Sequence, residues 1–309
     1  MTMKFRKKKA AAVSEDLLGR DAAIAMLSKE RKANNAWHKL ARNKTAIIGL
    51  IIVCLMFLLA ILAPLIAPYD PNEINPILPF KGIGFPGHLL GTDDLGRDIL
   101  SRIIYGARVS LIVAVGATLV GACAGVLIGL CAGYCGGIID AVLMRIMDGM
   151  FSFPFILLAM ILITVLGNGV LNVIFAIGIA SVPGFARVTR GQVLIVKEEE
   201  YCNACRVVGV SSLRLLFCHI LPNCVSQIIV YATLRVASAI ISEASLSFLG
   251  LGIALPTASW GSILRVGRDC LTTAPHVAGV PGLFILVTVV GFNLLGDGIR
   301  DVLDPKMKQ

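Results

Sequence analysis

The residues able to do chemistry are few and scattered. His38, His88, His219 and His276 fall in no HExxH pattern, and the chain has no serine elbow and no GxxxxGK[ST] loop. Metal-assisted hydrolysis, a serine nucleophile and a phosphate cradle for ATP therefore have no local basis. Of nine cysteines, Cys202 and Cys205 form a single CxxC with no second pair and no properly spaced histidine, a poor basis for structural zinc. Cys54, Cys123, Cys131 and Cys135 lie in apolar surroundings, where free cysteine behaves as a small hydrophobe.

What remains is a pair of charges, Arg235 and Glu243, inside the apolar run YATLRVASAIISEASLSFLG. A charge near mid-bilayer costs roughly 2.5–3.5 kcal/mol on insertion scales, so neither should face lipid. Eight residues apart on a helix, they stand about 12 Å apart, too far to pair directly. Two readings stay open. The helix lines a polar passage with Ser238, Ser242 and Ser245, or Arg235 and Glu243 satisfy neighbouring helices or sit near an interface.

The elements that must position these residues are membrane helices. The 309-residue chain is 57% hydrophobic and only 15% charged, against about 25% charged in a soluble domain. Its net charge of +9 is uneven: residues 1–45 form a basic arm, in which Trp37 suits the headgroup level of a surface helix. Basic residues beside a first span mark the cytoplasmic side, so no nucleic-acid partner is expected. The first apolar run starts too far in and is too long for a signal peptide.

The first span is expected at 46–67, with Pro64 stopping or bending its last turn. Residues 68–108 read as a loop outside the membrane with one short surface helix using Leu100, Ile103 and Ile104. Residues 109–300 hold five more spans. The second is glycine-rich, with glycine and alanine spaced for tight helix approach. A short turn is expected around Asp140, Arg145 and Asp148. The third and fourth spans fall at about 150–166 and 170–188, separated by VLGNGVLN. The fifth starts near Cys224 and the sixth covers about 279–298, leaving 249–278 outside and 301–309 as a cytoplasmic tail. Six spans put both ends on one face, and the basic arm makes that face cytoplasmic. Such a chain is a passive channel, a carrier, a non-transporting membrane scaffold, or one part of a powered machine.

The stretch EYCNACRVVGVSSLRLLFCHILPN, residues 200–223, decides among these. It resembles the cytoplasmic signature loop of permease subunits of ATP-binding-cassette importers, which reads Glu-Ala-Ala, three residues, Gly, nine residues, Ile, one residue, Leu-Pro. Asn203, Ala204 and Cys205 fill the first three places, Gly209 the fourth, and His219, Leu221 and Pro222 the last. Asn203, Cys205 and His219 depart from the pattern, and Asn203 removes a charge. The similarity continues in GTDDLGRDILSRIIYGARVSL (91–111), AGYCGGIIDAVLMRIMD (132–148), PGFARVTRGQVL (183–194), ISEASLSFLGLG (241–252), SWG (259–261) and FNLLGDGIRDVLDPKMKQ (292–309). The closing run is similar to the second permease of dipeptide, oligopeptide, glutathione and nickel importers.

That resemblance implies an all-α integral membrane fold of the type I importer permease kind, with six transmembrane helices and both termini cytoplasmic. It implies a homologous second permease, two ATP-binding subunits that hold ATP and Mg and hydrolyse it, and an extracytoplasmic solute-binding protein. The permease itself has no catalytic site, binds no cofactor or metal, and sits in the bacterial inner membrane. The loop at 195–223 becomes the coupling element, built from Tyr201, Asn203, Ala204, Cys205, Gly209, His219, Leu221 and Pro222. A helix at about 198–208 is expected to present Tyr201, Ala204, Cys205 and Val208 on one side, and Pro222 to end the next helical piece before the fifth span. Peptides are the expected substrate, with glutathione and nickel as alternatives.

Overall fold

A computed structural model describes residues 43–303, and residues 1–42 of the basic arm and the last six residues lie outside them. Five of its helices are long and apolar enough to cross a bilayer, and a sixth crossing results if one sharply bent pair counts as a single span.

Helix α1, Lys44–Ile61, is capped by the Asn43 side chain, which accepts the Thr45 and Ala46 amides at 3.1 and 3.4 Å. It stops at Leu62, and a single further turn, α2, Ala63–Ile66, carries Pro64 in its opening turn. The proline therefore starts a new turn, where its missing N–H is harmless, rather than bending the end of α1.

Residues 68–98 form a loop stitched by backbone bonds such as Asn75 to Leu95 (3.1 Å) and Thr92 to Lys81 (3.0 Å). Helix α3 then runs unbroken from Ile99 to Cys135, 37 residues and about 55 Å. The short surface helix expected before residue 108 is the buried beginning of α3. Asp98 caps it by accepting the Ser101 amide at 2.7 Å. The fully buried Arg102 turns back to the Pro71 carbonyl (2.8 Å) and toward Asp93 (3.5 Å), so its charge does not interrupt the helix.

The turn expected around residues 140–148 is also helical. Helix α4, Gly137–Phe151, joins α5, Phe155–Leu166, through a 90° bend at residues 152–154. Asp140 and Asp148 looked like turn residues but are partners for the next helix, α6, Val170–Val196. Arg190 grips Asp140 with two bonds of 2.6 Å, and Arg187 reaches Asp148 at 2.8 Å.

Helices α3 and α6 form the tightest pair. Gly121, Gly125, Gly129 and Gly133 recur every fourth residue on α3 and face Ser181, Phe185, Ala186 and Val193. A β-carbon on Gly125 would lie 2.5 Å from that of Phe185, so only glycine lets the backbones meet. Without a hydrophobic drive inside lipid, such close packing is one source of helix association, beside interhelical hydrogen bonds and lipid entropy. Gly49, Gly291 and Gly298 serve the same purpose between α1 and the last helix, α11, His276–Leu303.

After α6 come α7, Glu200–Val207, and one turn, α8, Ser212–Arg214. A π-helical turn, Leu215–Ile220, leads directly into α9, Leu221–Phe248, which packs on α3, α6 and α11. The expected outside loop at 249–278 contains α10, Trp260–Asp269, opened by a Ser259–Ser262 capping box. Its first residue, Trp260, is fully buried and donates its indole N–H to the Ile103 carbonyl at 3.1 Å. Trp260 thus anchors this segment against α3.

Candidate functional site

The stretch 196–224 is a hairpin of short helices on an apolar base. Cys202 is fully buried against Leu130, Val193, Val196, Leu215, Ile220 and Cys224, with Cys205 and Val210 packed at the edge. The Cys202 thiol donates to the Val196 carbonyl at 3.3 Å, and both cysteines of the CxxC are free. Among the described residues no group of three or more His, Cys, Asp or Glu is placed to hold a metal.

Gly209 closes α7. Its φ is +84°, its N–H bonds the Arg206 carbonyl at 3.1 Å, and the next amide, Val210, bonds the Cys205 carbonyl at 3.0 Å. This is a Schellman cap, and its apolar contact is the burial of Val210 and Cys205 on one cluster. The cap turns the chain so that Val207, Val208 and Leu213 are 88, 82 and 71% exposed at the tip.

The outward face therefore differs in part from the expected one. Ala204, Val208 and Tyr201 are exposed, but Cys205 turns inward and Val207 takes a place on the outer surface. Asn203 is exposed and accepts from the Arg206 guanidinium at 3.0 Å, one turn along α7. Partial burial, with Cys202 next to it, pushes the Tyr201 phenol up to about 12.

Pro222 does not end a helix. It has no N–H to give, and its ring opposes the carbonyl four residues back, so the preceding turn widens into the π form and continues. The Leu221 amide accordingly bonds the Leu216 carbonyl, five residues back. Residues 212–248 thus make one continuous rod. Asn223 fastens α7 to it, its side-chain amide reaching the His219 carbonyl (2.7 Å) and the Tyr201 hydroxyl (3.1 Å). Sequence reading missed Asn223, although an amide one position after Pro222 is the available signal.

Farther along α9, the two embedded charges separate in kind. Glu243 is fully buried and accepts from Ser110 (3.1 Å), Ser247 (2.9 Å) and Ser259 (3.0 Å). Those hydroxyls come from α3, from α9 itself and from the cap of α10. Glu243 is therefore a packing node, and Ser110 and Ser259 are its unforeseen partners. Ser242 is buried as well, while Ser238 and Ser245 bond carbonyls of their own helix at 3.2 and 2.8 Å. Arg235 is partly open and lies in a narrow cleft with Thr118, Phe155, Ser181 and Ser238.

Comparison with known proteins follows these landmarks. Residues 125–309 match the family model described as binding-protein-dependent transport system inner membrane component. Residues 33–80 match the N-terminal TM domain of oligopeptide transport permease C. The chain is 47% identical over 272 residues to the glutathione transport system permease protein GsiD of Shigella flexneri serotype 5b (strain 8401), covering 88% of this chain and 90% of that one. It is 43% identical over 278 residues to the di/tripeptide transport system permease protein DppC of Pseudomonas aeruginosa (strain UCBPP-PA14), covering 88 and 91%. With 185 of its residues inside the first match, and relatives aligned along most of their length, the chain belongs to the family of binding-protein-dependent transport system inner membrane components.

Proposed function

We propose that this non-catalytic inner-membrane subunit forms half of the pathway of an ATP-driven importer of small peptides, glutathione among them. The support is the 200–223 hairpin: a rigid base, a Gly209 cap and an exposed apolar tip joined without a break to the membrane-embedded α9. The kinship to peptide and glutathione permeases narrows the cargo.

On this reading the tip of α7 and α8 docks in a cleft of an ATP-binding subunit, with both chain ends on that cytoplasmic side. A homologous permease completes the pathway, a second ATP-binding subunit serves it, and an extracytoplasmic binding protein delivers the peptide. ATP and Mg stay with the partners. Closure of the ATPase pair displaces the knob, and the rod from Ser212 to Phe248 carries that displacement into the pathway because it is one continuous helix. A floppy loop would dissipate it.

The reconstituted complex in proteoliposomes tests this. Labelled di- and tripeptides and glutathione should enter only with ATP and the cognate binding protein. Uptake without ATP would indicate a channel, uptake of nickel alone would move the cargo class, and no uptake of any solute would leave a scaffold.

A further inference from the structure

Arg235 sits near the middle of α9, about 21 Å along the helix from Leu221 and about 20 Å from Phe248. A guanidinium at that depth needs a partner or a wet surface. Among the described residues it has no ion pair and no hydrogen bond. The carboxylate on its own helix, Glu243, is committed to three serines.

Two aromatic faces hold it instead. Its Cζ lies 5.1 Å from the ring centre of Phe155 and 5.8 Å from that of Tyr231. Tyr231 is itself fixed edge-on to Phe185 at 4.8 Å, and Gly184 leaves the space that its hydroxyl occupies. A cation–π contact uses none of the guanidinium N–H groups as hydrogen-bond donors to oxygen. The N–H edge matches a carboxylate in two parallel bonds. The residue one turn along α9, Ser238, is exposed, and the cleft beside Arg235 is otherwise lined by neutral side chains. Among the described residues no carboxylate lines that cleft, and none, Asp297 of the packed α11 included, forms an ion pair with Arg235.

We infer that Arg235 is a specificity residue of the translocation path, its edge receiving the free carboxylate of a passing peptide. This rests on the peptide-import reading. Every peptide with an unblocked C-terminus carries the required group, so the contact selects a chemical class without reading side chains. The two aromatic neighbours restrict the guanidinium in advance, which reduces the ordering cost of each encounter.

The test compares a tripeptide with its C-terminal amide in the reconstituted complex, each supplied at saturation of the binding protein. Arg235→Gln should lower uptake of the acid about tenfold while the amide changes less than twofold. Arg235→Lys, which keeps charge but not the fork, should fall between. Equal losses for acid and amide would assign Arg235 to packing or to a carboxylate of the partner permease and overturn the inference. An unchanged acid-to-amide ratio in Arg235→Lys would overturn it too, should the Gln variant fail to assemble. Absence of wild-type uptake of both peptides would sink the import reading and this inference with it. Normal wild-type uptake with parallel mutant losses would sink the carboxylate role alone.

Discussion

Gly209 and Glu243 illustrate two kinds of residue constraint. At Gly209 a β-carbon would meet nothing within 4 Å, so the requirement is conformational. An ordinary L-residue held at a φ of +84° costs about 1–2 kcal/mol, and Asn or Asp less. Gly209→Asp also places a charge amid the exposed Val207, Val208 and Leu213. It should leave the complex assembled, cut uptake at least tenfold and weaken substrate-stimulated ATP hydrolysis, whereas Gly209→Asn should retain most activity. Wild-type uptake and stimulation in the Asp variant would remove the coupling role. At Glu243 the constraint is saturation of hydrogen bonds. Glu243→Gln keeps the oxygen that serves Ser247 and Ser259 and offers an N–H to Ser110, so thermal unfolding should shift by under about 1 kcal/mol. Glu243→Leu strands three buried hydroxyls and should cost about 3 kcal/mol or more. A large effect of the Gln variant on stability would contradict the packing role.

At the scale of elements, close approach of α3 and α6 depends on the absence of side chains. Gly125→Leu should prevent their contact and lower the yield and thermal stability of folded protein sharply. Gly191, on α6, has open space around its α-carbon and ordinary helical backbone, so Gly191→Ala should stabilise by about 0.5–1 kcal/mol. Equal behaviour of the two in a melting assay would refute the glycine ladder as the cause. Much of this level was legible in the sequence. Hydropathy located helices long and apolar enough to cross a bilayer, glycine spacing announced a tight pair, and the Gly209-to-Pro222 interval coincides with the helical hairpin to which coupling is proposed above. Charges misled where partners were distant in sequence. Asp140 and Asp148 imitate a turn because their arginines lie 50 and 39 residues on, and Arg102 imitates a surface residue because Asp93 and Pro71 bury it. The inward turn of Cys205 escaped notice because helix spacing alone does not say which side of α7 faces Leu215.

At the scale of the molecule, the bundle separates an adaptable surface from an unyielding interior. Exposed Ile48, Leu55, Leu119 and Leu127 offer apolar faces suited to lipid. The seam between α3 and α6 has no slack: backbone touches side chain at every fourth residue, and Arg190 and Asp140 brace it from the side. Such a seam cannot slide in register, because each step would drive a side chain into backbone. On the import reading proposed above, α3 and α6 move together as one block when the pathway opens and closes. Spin labels on α3 and α6 should keep one separation through the ATP cycle, while labels on the two permeases should trade between two. The glycines that look like the softest letters in the chain thus make it a stiff gear tooth.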